Sequence, residues 1–129
     1  MKYLILIIGL AFSFNINAQR ILRPLPLLDT VTNTGTSFHT ITVSGTFNSG
    51  LIQFVGTKIS GTVAGTAILY GSVDGTNYVS LGDTLTQTNV TTNTKVWSNV
   101  RPNYPYYKVV VTGSGTMAQQ TKCYAHFKN

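Results

Sequence analysis

Few side chains in this sequence could catalyse a reaction. The 129 residues include two histidines, one cysteine and three acids, all aspartates. Nucleophilic catalysis needs a serine or cysteine beside a base that a third group orients. Neither His39 nor His126 stands in such a setting, and no Gly-x-Ser-x-Gly elbow is present. We interpret both histidines as surface or hydrogen-bonded structural residues and predict that the protein is not an enzyme.

The aspartates are better explained by turns than by catalysis. Glycoside hydrolysis usually needs two carboxylates, but Asp74 stands in an Asp-Gly turn, and Asp83, in Gly-Asp-Thr, can also begin a turn. A calcium site built from Asp74, Asp83 and carbonyls is the alternative, although it lacks the regular spacing of oxygen ligands in an EF-hand loop. We therefore predict neither a metal nor a cofactor.

The single cysteine, Cys123, excludes an intramolecular disulfide. In the segment 123–127, alternation places Cys123, Ala125 and Phe127 on one face of a strand and Tyr124 and His126 on the other. The simplest interpretation of Cys123 is a small buried side chain. A covalent dimer or a reactive thiol is the alternative.

Aromatic side chains give the only positive indication of a binding function. Tyr104 and Tyr106 lie in a connection flanked by prolines, which is expected at the surface. Aromatic faces can stack on sugar rings or partner side chains, and a tyrosine hydroxyl can form hydrogen bonds. We predict that these residues form a binding site at one end of the domain, with the set Tyr78, Asn103, Tyr104 and Tyr106. Trp97 and Tyr107 are expected in the core.

The elements that must position these residues are short strands. The chain is rich in threonine, glycine, serine, asparagine and valine, which favours strands and turns over helices. Gly-Thr pairs recur about every ten residues, at Gly35, Gly45, Gly56, Gly65 and Gly75, a spacing typical of antiparallel strands. About eight strands and no major helix are expected. Covering one core with them requires an antiparallel β-sandwich, for which we predict the jelly-roll type.

Alternation also predicts the core and the strands that supply it. The last strand, 116–127, is expected to be broken in the middle. In the alternating segment 67–73, Ala67, Leu69 and Val73 are expected on one face. The predicted core residues are Val96, Trp97, Val100, Tyr107, Val109 and Val111, opposed by Ile41, Val43, Phe54, Leu69 and Leu81.

The chain divides into three parts by composition. Residues 1–18 have a charged start, an apolar run and the small residue Ala18, as in a secretory signal peptide. The apolar run is shorter than the roughly 20 residues that a membrane-spanning helix needs, so no permanent membrane anchor is expected. Residues 19–36 form an extended arm and residues 37–129 the β-sandwich domain. The protein is therefore expected to be exported to the periplasm, the cell surface or the medium.

The arm is unusually apolar for a free tail. Pro24 and Pro26 exclude a central strand or a helix interior, so the segment is expected as an edge strand or a polyproline-like arm. It packs either along its own domain or on a neighbouring subunit. The residues that would make this contact are Ile21, Leu22, Leu25, Leu27 and Leu28.

The formal net charge of +6 could attract an anionic partner. The basic residues are spread singly, however, whereas a nucleic-acid-binding protein usually gathers them into one run or face. We therefore expect no nucleic-acid partner.

The segment Leu69-Tyr-Gly-Ser-Val-Asp-Gly-Thr-Asn-Tyr78 contains Asp74-Gly75 between two alternating runs, a strong hairpin signal. Followed by Tyr106–Val111, it resembles the pattern of discoidin-like β-sandwiches. With the segment TKISGTVAGT before it (57–66) and the segment YYKVVVTGSGTMA after it (106–118), the hairpin more closely resembles small structural β-sandwich proteins of bacteriophage particles, over about residues 57–118. This resemblance implies a non-enzymatic, multimeric virion or attachment protein.

Two functional hypotheses follow from these patterns. The first is a structural or attachment protein, at a cell surface or in a virion, that assembles with copies of itself or with other structural proteins. The alternative is a secreted carbohydrate-binding module that uses its loop tyrosines to bind a glycan.

Overall fold

The computed structural model describes residues 28–100 and 103–128, apart from the side chain of residue 99. The residues described form eight β-strands and no helix. The strands are β1 (Asp29–Thr32), β2 (Thr36–Thr42), β3 (Ser49–Gly61), β4 (Gly65–Ser72), β5 (Val79–Gln87), β6 (Thr92–Val100), β7 (Tyr106–Gly113) and β8 (Met117–Lys128). Every pairing between them is antiparallel.

The strands form two four-stranded sheets. Sheet I has the order β1-β8-β3-β6 and sheet II the order β2-β7-β4-β5. The chain passes from one sheet to the other at every connection except the β4–β5 hairpin, which is the arrangement of an eight-stranded jelly roll. The predicted all-β sandwich of jelly-roll type is confirmed.

The core fills the space between the two sheets. In β7 and β8 every second residue is buried, because successive side chains of a strand point to opposite faces. The largest aromatic side chains of the core are Phe54, Trp97, Tyr107 and Phe127. Of the predicted core residues, those buried are Ile41, Val43, Phe54, Leu69, Trp97, Val100, Tyr107, Val109 and Val111.

Two predicted core residues lie at the surface. Val96 is 47% exposed because its neighbour Trp97 points inward, and adjacent residues of a strand cannot share a face. Leu81 is 38% exposed. It lies in the edge strand β5, where the register with β4 shifts between Ile68 and Tyr70.

Two other details of the prediction are wrong. β8 is one continuous strand of 12 residues, because β3 pairs with it along its whole length. At the end of β4, Ser72 is buried and Val73 is 70% exposed, the reverse of the predicted alternation. Ser72 turns inward there and holds the hairpin loop through its hydroxyl.

The predicted signal peptide and most of the predicted arm, including Ile21, Leu22, Leu25 and Leu27, lie outside the described residues. Leu28 is exposed and directly precedes β1, which pairs with β8 from Thr121 to Ala118. The range predicted as an arm, 19–36, therefore contains β1, an edge strand of sheet I. Among the described residues, no helix could cross a membrane.

Candidate binding site

The two sheets part at one side of the sandwich. There β5 forms the edge of sheet II and β6 the edge of sheet I. A cavity of about 380 Å³ lies in this β5–β6 groove. Its lining residues are Leu69, Leu81, Asp83, Val96, Trp97, Ser98, Val100, Asn103 and Tyr104. The groove thus combines apolar walls with a few polar groups, as ligand sites commonly do.

Asp83 links the two rims of the groove. Its carboxylate accepts a hydrogen bond from Lys95 Nζ at 2.7 Å, and its carbonyl accepts one from Trp97 Nε1 at 2.8 Å. Asp83 belongs to β5, whereas Lys95 and Trp97 belong to β6. These bonds therefore join the sheets across the groove and fix the edge of the indole there.

Tyr104 enters the groove from the connection before β7. Its half-buried ring lies against Gly71, where a Cβ atom would be 2.6 Å from the nearest ring carbon. The ring also meets Tyr107 edge to face, with centroids 6.2 Å apart and an interplanar angle of 88°. Burial raises the pKa of the Tyr107 hydroxyl, while a hydrogen bond with the Tyr104 backbone acts in the opposite direction. Packing therefore holds Tyr104 in place, with Asn103 exposed beside it.

The β4–β5 hairpin is longer than a two-residue turn, since residues 73–78 separate the strands. The Asp74 carboxylate accepts hydrogen bonds from the Ser72 hydroxyl, the amides of Thr76 and Asn77, and the Asn77 side chain. These bonds, led by that from the Asn77 amide, hold the pKa of Asp74 well below its usual range. Gly75 has a φ of +74°, which a glycine adopts without strain.

Tyr78 and Tyr106 lie on the outer side of sheet II. The Tyr106 ring passes 3.4 Å from the position of a Cβ at Gly75. Lys108 Nζ lies 3.8 Å from the centroid of the Tyr78 ring and 5.7 Å from that of Phe38. This is a cation–π cluster, in which the ammonium lies against one face of the Tyr78 ring.

The four predicted binding residues therefore divide between two places. Asn103 and Tyr104 line the groove. Tyr78 is the last residue of the β4–β5 loop, and Tyr106 packs beside that loop. Ser98 in the groove and Phe38 on the outer face were not among the residues predicted from the sequence. The strand alternation could have indicated both, since Ser98 follows the inward Trp97 and Phe38 stands between two residues buried in β2.

The histidines lie in different surroundings. His39 is buried, and its Nε2 lies 2.9 Å from the Thr121 hydroxyl. Burial lowers the pKa of His39, and the negative charge of Asp29 partly opposes this shift. His126 stands in β8 at a position directed away from the core, and its buried Nε2 has no hydrogen-bond partner among the described residues. Among the described residues, neither imidazole forms a hydrogen bond with a serine or a cysteine.

Cys123 is buried, as the alternation predicted. Burial raises the pKa of its thiol to about 12, so the thiolate is disfavoured. In the described part of the chain, no three His, Cys, Asp or Glu residues gather in a way that could hold a metal ion.

Among known proteins, similarity to this chain was found only in solved structures. No family model matches the chain, and no curated protein matches it. Among solved structures, a "Family 16 Carbohydrate Binding Module-2" is similar with a TM-score of 0.43 and 9% identity, over 71% of this chain and 70% of that one. At that TM-score the likeness carries no argument about this chain. No finding supports the resemblance to bacteriophage particle proteins.

Proposed function

We propose that the protein is a non-catalytic, exported carbohydrate-binding β-sandwich that holds a sugar in the β5–β6 groove. The observation that carries this proposal is the cavity of about 380 Å³ that Asn103, Ser98 and Tyr104 line together with apolar side chains. A pyranose presents C–H faces to apolar or aromatic surfaces and hydroxyls to amides and other hydroxyls. The groove offers both kinds of contact.

The groove suits a sugar better than the aromatic cluster on the outer face of sheet II. The Lys108 ammonium lies 3.8 Å from the Tyr78 ring centroid and so takes the place that a stacked sugar would need on that face. Tyr106 packs beside Gly75 of the hairpin. Of the four tyrosine and asparagine residues predicted from the sequence, Asn103 and Tyr104 are therefore proposed to contact the glycan.

Affinity electrophoresis tests the proposal directly. The protein is run through gels that contain soluble polysaccharides of glucose, xylose, mannose or galacturonate, and retardation in at least one gel is expected. Asn103→Ala should weaken that binding about 5- to 10-fold, because it removes hydrogen bonds worth about 1 kcal/mol. Asn103 is exposed, so its replacement should leave the fold intact.

The matched control is Asn48→Ala, an exposed asparagine in the β2–β3 connection that is not among the groove residues. It should bind as the parent chain does. Equal retardation of Asn103→Ala and the parent chain, or no retardation in any gel, would contradict the proposal.

A second candidate function is assembly as a structural or attachment protein, with copies of this chain or with other structural proteins. The observation in its favour is a group of exposed apolar side chains, Leu51, Val96 and Tyr124, which line a second cavity of about 270 Å³ with parts of β3 and β8. Light scattering separates the two candidates. A stable oligomer that Leu51→Lys dissociates would favour assembly, whereas a monomer retarded in a polysaccharide gel would favour glycan binding.

Export rests on the character of residues 1–18. We propose that cleavage follows Ala18, so that the mature chain begins at Gln19. Intact-mass analysis of protein recovered outside the cytoplasm should find this N-terminus. Soluble cytoplasmic protein that keeps Met1 would contradict export.

A further inference from the structure

One flank of β8 is open over half its length. β3 pairs with β8 from Met117 to Lys128 on one side. On the other side β1 pairs with it only from Ala118 to Thr121. Within residues 28–100 and 103–128, no strand covers that second flank beyond Thr121.

The backbone groups directed at this open flank can be identified. The Asn33 amide donates to the Met117 carbonyl at 2.8 Å, so Met117 faces the β1 side. In antiparallel pairs this orientation repeats at every second residue. The N–H and C=O groups of Cys123, Ala125 and Phe127 therefore point toward the open flank. Unpaired groups of this kind form a template for another strand.

We propose that residues 22–27 continue β1 and cover this flank in the same copy of the chain. The register pairs Asp29 with Thr121. Continued upstream without a bulge, it places Leu27 opposite Cys123 and Leu25 opposite Ala125. No turn is required, because the segment runs straight on from the start of β1. The inference is independent of glycan binding.

The positions of the two prolines fit this register. Residues 25 and 27 fall opposite the β8 residues that face the flank, so their amides are the ones that must donate to β8. Pro24 and Pro26 fall between them, and their nitrogens point away from β8, where no donor is needed. Proline is tolerated in an edge strand in this orientation, and it blocks pairing with a further strand.

The side-chain pattern fits as well. Val31 of β1 is buried, and every second residue of a strand shares its face. Leu27 and Leu25 fall on this inner face, above the sandwich core. Leu28 falls on the opposite face and is exposed. The apolar arm would thus bury two leucines in its own domain and close the edge of sheet I against other chains.

Amide hydrogen exchange on the protein expressed from its full sequence tests this arrangement. The amides of Cys123, Ala125 and Phe127 should exchange at least about 100-fold more slowly than unprotected amides, because each is bonded to the arm. A close Hα–Hα contact between Pro26 and Tyr124 should also appear by NMR, since these residues form a non-hydrogen-bonded pair. Unprotected amides at those three positions would overturn the proposal.

Proline substitutions test the register. Leu25→Pro removes the N–H that would donate to the Ala125 carbonyl and directs the proline ring at that carbonyl. It should therefore displace the arm and abolish the protection of the Ala125 amide, whereas the control Pro26→Ala should leave that protection unchanged. Equal effects of the two variants would contradict the register. In a mixture of isotope-labelled and unlabelled chains, the Pro26–Tyr124 contact should arise only within one chain. A contact found between chains would show that the arm crosses to a neighbour and would overturn the proposal.

Discussion

The ring of Tyr104 occupies the space next to Gly71 where any larger residue would place its Cβ, 2.6 Å from the nearest ring carbon. Gly71 lies in β4 of sheet II, and Tyr104 comes from the connection that leads into β7. One face of the groove therefore depends on the absence of a side chain at residue 71. Gly71, which has no side chain, thus leaves the space in which the Tyr104 ring lies, and we propose that Tyr104 contacts the glycan.

Gly71→Ala should displace the Tyr104 ring and lower the free energy of unfolding by about 1–3 kcal/mol, because the new methyl group overpacks the site. Chemical denaturation measures this change. In the double variant Gly71→Ala, Tyr104→Ala the methyl group has space, so the combined cost should be smaller than the sum of the single costs. Additive costs would show that the two residues do not contact each other as described.

Gly75→Val should lower the free energy of unfolding by roughly 1–2 kcal/mol, because a β-branched residue is strained at a φ of +74°. The neighbouring substitution Thr76→Val is the control, since Thr76 is exposed and has no positive φ. Thermal unfolding compares the two. An unchanged Tm for Gly75→Val would contradict a positive φ at this position.

Much of the fold could be predicted from the sequence because strand alternation is a local property. The pattern around Ile41, Phe54 and Val109 identified core-facing residues without knowledge of strand order. Alternation alone could not choose between the adjacent residues Val96 and Trp97. Trp97 is the residue that points inward, and its indole donates to the Asp83 carbonyl of the other sheet, a long-range contact that alternation does not encode.

The division of the binding residues could not be predicted. Tyr104 and Tyr106 are two residues apart in a connection rich in proline, and nothing in the sequence distinguishes them. Their different positions follow from long-range contacts, since Tyr104 packs on Gly71 and Tyr106 on the loop at Gly75. The sequence does not show which glycine leaves space for which ring.

Gln119→Met should stabilise the protein. Gln119 is fully buried, and neither polar atom of its side-chain amide has a hydrogen-bond partner among the described residues. A methionine of similar volume removes these unpaired groups, for an expected gain of about 1 kcal/mol and a Tm increase of about 4–8 °C. Gln120→Met, in an outward-facing position, should leave the Tm nearly unchanged. A lower Tm for Gln119→Met would show that the amide is paired.

Stability should fall as the pH is lowered from about 6.5, because burial lowers the pKa of His39 below its ordinary value of 6.5. Between the two pKa values the unfolded chain binds a proton that the native chain does not, so acid favours unfolding. The contribution of one histidine is at most about 1.4 kcal/mol per pH unit. In denaturation between pH 5 and 7, His39→Gln should show a smaller slope than the parent chain. Parallel pH profiles would contradict a neutral buried imidazole.

Chemical-shift mapping can locate a bound sugar in the β5–β6 groove residue by residue. The ¹⁵N-labelled protein is titrated with hexasaccharides of glucose, xylose and mannose and with an oligogalacturonide. If the sugar binds in the β5–β6 groove, saturable shifts should appear for the amides of Ser98, Asn103 and Tyr104 and for the indole N–H of Trp97. The amides of Phe38 and Tyr124 should not shift. Shifts confined to the outer face at Phe38 and Tyr78, or no saturable shift with any of these sugars, would contradict binding in the groove.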